Sequence, residues 1–251
     1  MRVIAAKWWR ATLRMAEEFR AGRAFLAGDA ARSVSPLGAF GLNTGLADAH
    51  NLAWKLALVL AGQAGEGLLD TYHDERHAVA QFVTRQAVLR WENPRLHWDP
   101  AAVAERAAVG AWNAPLVTMG YRYDSAAVID AVVQPPSTED LMVALDGAPG
   151  SRLPHRWVSP GVSTLDLVRS RFTVFAGDPS WREAAEKAAA RLDVPMGAAV
   201  VPDADWLSAT GIENGGALLV RPDGFVAWRS PVAVAGADAV LESVMSRVLT
   251  R

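Results

Sequence analysis

The sequence predicts a mixed α/β protein with two consecutive units, residues 1–135 and 136–251. A short apolar run, a glycine-rich loop and a long helical pattern follow one another over residues 23–60. The run Pro135-Pro136-Ser137-Thr138 is typical of a boundary between units. Strand and helix patterns then alternate to residue 251, as expected of a second, smaller α/β unit.

The first unit is organised around a strand that ends in an acidic residue. The run 24–27 is apolar without alternation, which predicts a strand covered on both faces. The run ends at Gly28-Asp29. Ligands of open α/β sheets bind beyond the carboxyl ends of strands, so Asp29 is a candidate acceptor of hydrogen bonds from a ligand hydroxyl.

A glycine-containing loop and a long helix follow. Asn43 suits the N-cap or the first turn of this helix, whose N-terminus would favour an electron-rich ligand. Spacing alone is equally consistent with a plain strand–helix unit whose glycines serve tight turns. Apolar residues at helical spacing predict one amphipathic face: Leu42, Leu46, Ala49, His50, Ala53, Leu56, Ala57 and Leu60.

The run GDAARSVSPLGAFGLNTGLADAHNLAWKLA, residues 28–57, resembles the second FAD-binding motif of the flavin-dependent aromatic hydroxylases, the p-hydroxybenzoate hydroxylase family. It is most similar to the branch that hydroxylates polyketides and phenols. The resemblance implies FAD as cofactor, NAD(P)H as co-substrate and ring hydroxylation through a C4a-hydroperoxyflavin. The residues it implies in cofactor binding are Gly28, Asp29, Pro36, Gly38, Gly41, Leu42, Asn43 and Thr44.

The resemblance also implies individual roles. Asp29 would accept hydrogen bonds from the ribityl chain, and Pro36 would lie beside the flavin C4a position. The backbone of residues 41–43 would face the N1–C2=O edge, where the helix dipole favours the reduced flavin. No catalytic base is identified.

The chain departs from the family pattern in two respects. Arg32 stands where the family usually has His, Ser35 replaces one of two paired prolines, and Ala39 replaces a glycine. In addition, residues 1–251 contain no GxGxxG dinucleotide-binding fingerprint. The resemblance is therefore to the C-terminal part of the family's FAD-binding domain, followed by its thioredoxin-like domain.

Composition narrows the function classes. The formal charge of −2 gives no electrostatic argument for nucleic-acid binding, and the lack of cysteine excludes disulfides, thiolate metal sites and CxxC chemistry. No apolar run approaches the ~20 residues that cross a bilayer. A cytoplasmic protein without a membrane partner is expected.

A second helix is predicted from about residue 70 to residue 90, capped by Asp70 or Thr71. His73 and His77 have a spacing that can bind a metal, but a solvated polar face is the preferred interpretation, and no metal site is predicted. Residues 91–135 are expected to be loop-rich with further helix, and their aromatic residues can line a substrate cavity or fill the core. Those residues are His97, Trp98 and Trp112.

The second unit, residues 136–251, is predicted to be thioredoxin-like. Its expected elements are strands at 172–176 and 198–201, a hairpin of 217–220 with 225–228, and helices at 180–191 and 237–249. The hairpin turn is Arg221-Pro222-Asp223-Gly224, a sequence with turn chemistry. Residues 203–205 and His155 are interpreted as exposed loops.

Two hypotheses of function follow. In the first, the chain is the flavin-contacting half of an aromatic or polyketide hydroxylase. In the second, it is a truncated, non-catalytic homologue that acts as a binding or interaction module. Either predicts exposed apolar surface near Trp8, Trp9 and one side of the 23–27 strand, open to an N-terminal partner chain or a homo-oligomer.

Overall fold

The computed structural model describes Ile4, Lys7 and residues 12–251, so Trp8 and Trp9 lie outside the described residues. The first described elements are two small antiparallel pairs. Strand β1 (Arg14–Met15) pairs with β4 (Arg32–Ser33), and β2 (Arg20–Ala21) pairs with β3 (Ala24–Phe25). A 3-10 turn, Gly28–Ala30, connects β3 to β4.

Strand β3 differs from its prediction. It has two residues instead of four, and it lies in a hairpin instead of a sheet covered on both faces. Ala24 is exposed, and Leu26 keeps 36% of its surface accessible. The expectation of uncovered surface beside residues 23–27 is therefore confirmed, while the expectation of a strand covered on both faces is wrong.

The middle of the chain is helical, as predicted. Helix α1 ends at the predicted residue, and the N-cap of α2 is Leu69, so neither Asp70 nor Thr71 caps it. The helices are α1 (Phe40–Leu60), α2 (Asp70–Glu92), α3 (Arg95–Trp98), α4 (Val103–Val109), α5 (Ala114–Met119) and α6 (Leu141–Ala144).

Helix α1 turns its apolar stripe outward. Leu42, Leu46 and Leu60 are 75%, 62% and 82% exposed. The opposite face is buried and largely polar: Phe40, Thr44, Asp48, Asn51, Trp54, Lys55 and Leu58. Hydrophobic periodicity thus locates the helix but assigns its inward face incorrectly, because buried charges on the other face find partners inside the protein.

The remainder forms the predicted α/β unit, and the fold class is confirmed. Four of its elements lie within one residue of the predicted bounds, and Ala204–Ala209 is an additional helix. The elements are β5 (Trp157–Ser159), β6 (Val162–Ser163), β7 (Phe172–Ala176), α7 (Trp181–Leu192), β8 (Met196–Val200), α8 (Ala204–Ala209), β9 (Ala217–Val220), β10 (Val226–Ser230) and α9 (Ala237–Val248).

The four-stranded sheet of this unit has the order β10-β9-β7-β8. Strand β7 pairs parallel with β8 and antiparallel with β9, and β9 pairs antiparallel with β10. Alternate residues of β7 point to opposite faces. Phe172 and Val174 pack into a core with α7 and α9, whereas Phe175 packs with Trp206 of α8 on the other face.

The core of this sheet continues into the first unit. Trp54 and Leu58 of α1 belong to the same buried cluster as Phe172, and the Trp54 ring meets the Phe172 ring edge-on at 5.6 Å. The boundary after residue 135 stays a prediction. Among the described helices, none is long and apolar enough to span a bilayer.

Candidate functional site

The predicted cofactor turn lies directly on helix α1. Gly28 has a φ of +60°, and its N–H donates to the carboxylate of Asp48 at 3.0 Å. A Cβ at Gly45 would stand 3.2 Å from the Gly28 Cα, so glycine at both positions permits this close approach. Asp29 is exposed at the tip of the turn, with its carboxylate open to a ligand.

The loop before α1 contains a strained residue. The Ala39 N–H donates to the Pro36 carbonyl at 3.0 Å, and Gly38 has a φ of +89°. A Cβ at Gly38 would collide with the Phe40 ring. Ala39, which replaces a family glycine, has a φ of +53°, in the left-handed region that costs a residue with a Cβ about 1–2 kcal/mol.

Ala39→Gly is therefore expected to raise the free energy of unfolding by about 1 kcal/mol, because glycine adopts this φ without the steric penalty. Urea denaturation measures the change. Ala57→Gly, at an exposed interior position of α1, is the matched control and should lower stability by about 1 kcal/mol. A loss of stability in Ala39→Gly would contradict the assigned strain.

The N-terminus of α1 keeps free backbone donors. The N–H groups of Phe40, Gly41 and Leu42 precede the first i to i−4 hydrogen bond, and no side chain caps the helix. Asn43 lies in the first turn, one of its two predicted positions, and its Nδ2 donates to the Ala39 carbonyl at 3.1 Å. The Thr44 hydroxyl is buried and donates to the Phe40 carbonyl at 2.7 Å, so it is engaged within the helix.

A buried carboxylate, missed from the sequence, holds the turn in place. Asp48 accepts hydrogen bonds from Gly28 N, from Arg32 Nη1 at 2.6 Å and from Arg76 Nε at 2.7 Å. The Arg32 that replaces the family histidine is thus an ion-pair partner of Asp48. Arg76 also donates to the Tyr123 hydroxyl at 2.8 Å, which links the turn to the segment that follows α5.

A second buried network joins the two units. Glu75 of α2 accepts hydrogen bonds from Lys55 Nζ at 2.9 Å and from both terminal nitrogens of Arg221 at 2.6 and 2.9 Å. Arg221 pairs in turn with Asp223 at 2.6 Å, in the turn between β9 and β10. Burial opposes the charge on Glu75, but Arg221 and Lys55 outweigh it and hold the Glu75 pKa well below its usual range.

Lys55 gives this network a pH dependence. Burial lowers the pKa of Lys55 to about 8, against the opposing effect of Glu75. The unfolded chain, with a lysine pKa of 10.5, binds the proton more tightly, so stability rises as pH increases through this window. We expect the free energy of unfolding to increase by about 2 kcal/mol from pH 8 to pH 10.

Urea denaturation across this range measures the effect. The only other lysines are Lys7 and Lys187, and Lys187 lies exposed in a surface ion pair. Burial also lowers the pKa of Arg90 to about 10, so Arg90 adds to the rise near pH 10. Lys55→Met assigns the signal to Lys55, because it should remove the rise between pH 8 and pH 9. Burial also raises the Tyr72 pKa, which opposes stability only above pH ~10. A flat profile in the parent protein would contradict the assignment.

The histidines and tryptophans named in the sequence analysis lie outside this predicted cofactor site. His73 and His77 stack at 4.8 Å and pack edge-on against Phe19, so they are partly buried and less solvated than expected. Trp98 is 69% exposed, and Trp112 packs on Phe82 at 4.7 Å.

The loop predictions concern residues 203–205 and His155. Asp203 caps α8 by accepting from the Trp206 N–H at 2.9 Å, so residues 203–205 begin a helix and are not a loop. His155 is exposed, as expected. No cluster of potential metal ligands occurs among the described residues.

The predicted cofactor residues thus occupy the Gly28–Ala30 turn, the loop before α1 and its first helical turn. Their outward groups are Asp29 and the free N–H groups of α1, a pattern suited to a ligand with hydroxyls and an electron-rich edge. The roles of Asp48, Arg32 and Arg76 were missed because Asp48 is 16 and 28 residues from its two arginine partners. The signal that could have found them is a row of polar residues, Asp48, Asn51 and Lys55, on one face of α1.

Two protein families match the chain. Residues 1–87 match the FAD binding domain, and residues 146–251 match the C-terminal domain of aromatic-ring hydroxylases. Among curated proteins, a polyketide hydroxylase of Streptomyces halstedii is 43% identical over 96% of this chain and 47% of its own length. The 4-methyl-5-nitrocatechol 5-monooxygenase of a Burkholderia species is 44% identical over 97% and 46%.

Solved structures agree. A ternary complex of aklavinone-11 hydroxylase with FAD and aklavinone superimposes with a TM-score of 0.81 at 40% identity, covering 97% of this chain and 46% of that one. The flavin-dependent monooxygenase PieE, in complex with FAD and substrate, gives 0.78 at 34% identity over 96% and 50%. The chain spans about half the length of the relatives it matches.

Proposed function

We propose that this chain, whose matched segments belong to the FAD-dependent aromatic-ring hydroxylases, supplies the flavin-contacting turn and helix of an aromatic or polyketide hydroxylase. The observation that carries the proposal is the exposed Asp29, on a glycine turn pressed against the uncapped N-terminus of α1. Relatives named as polyketide hydroxylases and as a nitrocatechol monooxygenase support the reaction class.

The residues present fit the cofactor. Asp29 would accept hydrogen bonds from the ribityl hydroxyls of FAD. The free N–H groups at the start of α1 would face the electron-rich edge of its ring, where the helix dipole favours negative charge. Gly28 and Gly38 leave no side chain between backbone and ligand.

The finer chemistry is proposed from the family resemblance. Electrons would come from NAD(P)H and oxygen from O2, and the bound flavin would supply the hydroxylating C4a-hydroperoxide. The residues of this chain would bind and orient the ring beside Pro36. A cytoplasmic location belongs to the same proposal.

The outward apolar face of α1 supports the need for a further polypeptide. Leu42, Leu46 and Leu60 project along a helix of 21 residues, about 30 Å long. Contiguous exposed apolar surface is typical of interaction sites. We propose that an N-terminal partner chain, or a second copy of this chain, covers it. A dilution-stable monomer in light scattering would count against this.

FAD binding by the purified chain tests the flavin site, measured by equilibrium dialysis and flavin fluorescence. We expect Asp29→Ala to weaken binding at least about tenfold, since hydrogen bonds to a charged acceptor are worth about 1.5–3 kcal/mol. Glu186→Ala, an exposed acid on α7, is the matched control and should bind as the parent does.

If the chain alone does not bind FAD, a separately expressed N-terminal half of a relative should be added. NAD(P)H oxidation with a phenolic substrate then tests the reaction. Binding that is unaffected by Asp29→Ala, or no binding even with that half, would overturn the proposed function.

A further inference from the structure

A cleft of about 740 Å³ opens beside the second unit. Helices α5 and α6 form one wall, α8 another, and the turn between β9 and β10 the floor. Its volume lies in the range that encloses a drug-sized molecule. No residue of the predicted flavin-contacting set lines it. Its apolar lining includes Met119, Leu141, Met142, Leu153, Pro154 and Trp206.

The cleft wall is formally neutral, with three arginines and three aspartates, but these charges are unevenly paired. Arg152 and Arg169 line it, and among the described residues neither has a carboxylate within 4 Å. Arg156 also lines it but is paired with Asp203 at 2.6 Å. The unpaired guanidinium groups therefore face a mainly apolar space.

The lining carboxylates do not neutralise these cations. Asp223 is occupied by Arg221, and Asp166 accepts hydrogen bonds from both the N–H and the hydroxyl of Ser163 at 2.7 Å. The Asp205 side chain is 90% exposed and stands 3.8 Å from Arg156. An anionic ligand would thus meet Arg152 with no carboxylate in direct contact, while Asp223 acts on it only at longer range.

Arg152 is held for such a contact. Its guanidinium carbon lies 5.0 Å from the centre of the Phe225 ring and 5.8 Å from that of Tyr121. Its Nη2 is 3.4 Å from the Tyr121 hydroxyl, which Arg76 also contacts at 3.2 Å, and its buried Nε has no partner among the described residues. Arg152 is partly buried, and this free N–H is available to donate to a ligand oxygen.

We infer that this cleft is a binding site for an aromatic carboxylate. The carboxylate would pair with Arg152, whose planar guanidinium matches its geometry, and the aromatic body would lie against Trp206, Met142 and Leu153. Two aromatic rings preorganise the arginine, which lowers the entropy cost of binding. The inference rests on the cleft alone and does not depend on the flavin site.

Titration calorimetry on the purified chain tests the inference with 2-naphthoate as probe and 2-naphthamide as its neutral isostere. We expect saturable binding of 2-naphthoate, with the amide at least about tenfold weaker because it cannot form the charged pair. Equal affinities, or no saturable binding of 2-naphthoate up to millimolar concentration, would overturn the inference.

Variants locate the probe. Arg152→Gln should weaken 2-naphthoate about tenfold and leave the amide unchanged, while Arg182→Gln, an exposed arginine on α7, should change neither. Because Arg152 is packed on aromatic rings, Met142→Glu gives an independent test at a position that is 69% exposed. The added carboxylate should repel 2-naphthoate, whereas Met142→Gln should not. Unchanged affinity in both Arg152→Gln and Met142→Glu would overturn the site.

Discussion

Replacement of Glu75 by glutamine is expected to lower the free energy of unfolding by about 3–5 kcal/mol, enough to unfold many domains of this size. Glu75 is the anion between Lys55 and Arg221, and all three side chains are fully buried. Glutamine keeps the shape but not the charge. Lys55 would then lose its counter-charge, and Arg221 would keep only Asp223.

Urea denaturation at pH 7 measures this loss. Glu183→Gln is the matched control, because Glu183 pairs with Lys187 on the exposed surface of α7 at 2.7 Å, and exposed pairs contribute about 0–1 kcal/mol. Lys55→Met combined with Glu75→Gln should recover part of the loss, since it removes the stranded charge. Similar small losses in Glu75→Gln and Glu183→Gln would show that the network is not energetically important.

Asp48→Asn is also expected to lower the free energy of unfolding by about 3–5 kcal/mol. In the fraction that still folds, it is expected to weaken FAD binding. The substitution leaves Arg32 and Arg76 buried without their shared anion, and an amide placed in the same orientation can satisfy only some of the three donors. The Gly28 N–H would lose its fixed acceptor. The turn that presents Asp29 would then be free to move.

Arg32→Gln separates stability from positioning. It removes one ion pair but leaves the Gly28 to Asp48 hydrogen bond, so it should lower stability with little effect on FAD affinity measured well below the denaturation midpoint. Asp48→Asn should reduce both. If the two variants have equal FAD affinities at equal stability, Asp48 has no positioning role.

Local sequence patterns were sufficient for much of the fold. The run 172–176 was assigned correctly, because a strand buried on both faces is recognisable as a continuous β-branched and aromatic run between polar segments. The hairpin at Arg221 to Gly224 was predicted by its turn chemistry. Such signals extend over only a few residues, and they succeed where the conformation that those residues prefer is also the one that the fold requires.

Contacts between residues far apart in the chain could not be predicted from the sequence. Periodicity shows that α1 has two faces, but whether Leu46 or Lys55 points inward depends on partners such as Glu75 on another helix. The pairing of Glu75 with Arg221 joins residues 146 positions apart. For the candidate site, the resemblance drew attention to Asp29. The role of Arg32 as an ion-pair partner required the structure.

The network around Glu75 also bears on whether this protein can be divided. Lys55 pairs with Glu75 on one side of residue 135, and Arg221 pairs with Asp223 on the other, but Glu75 and Arg221 complete their hydrogen bonds only with each other across it. A fragment that ended there would expose one of these ion pairs to water, whereas in the intact chain both are buried in the contact. In evolution, a foreign C-terminal unit could be grafted onto these helices only if its hairpin turn brought the same arginine and aspartate.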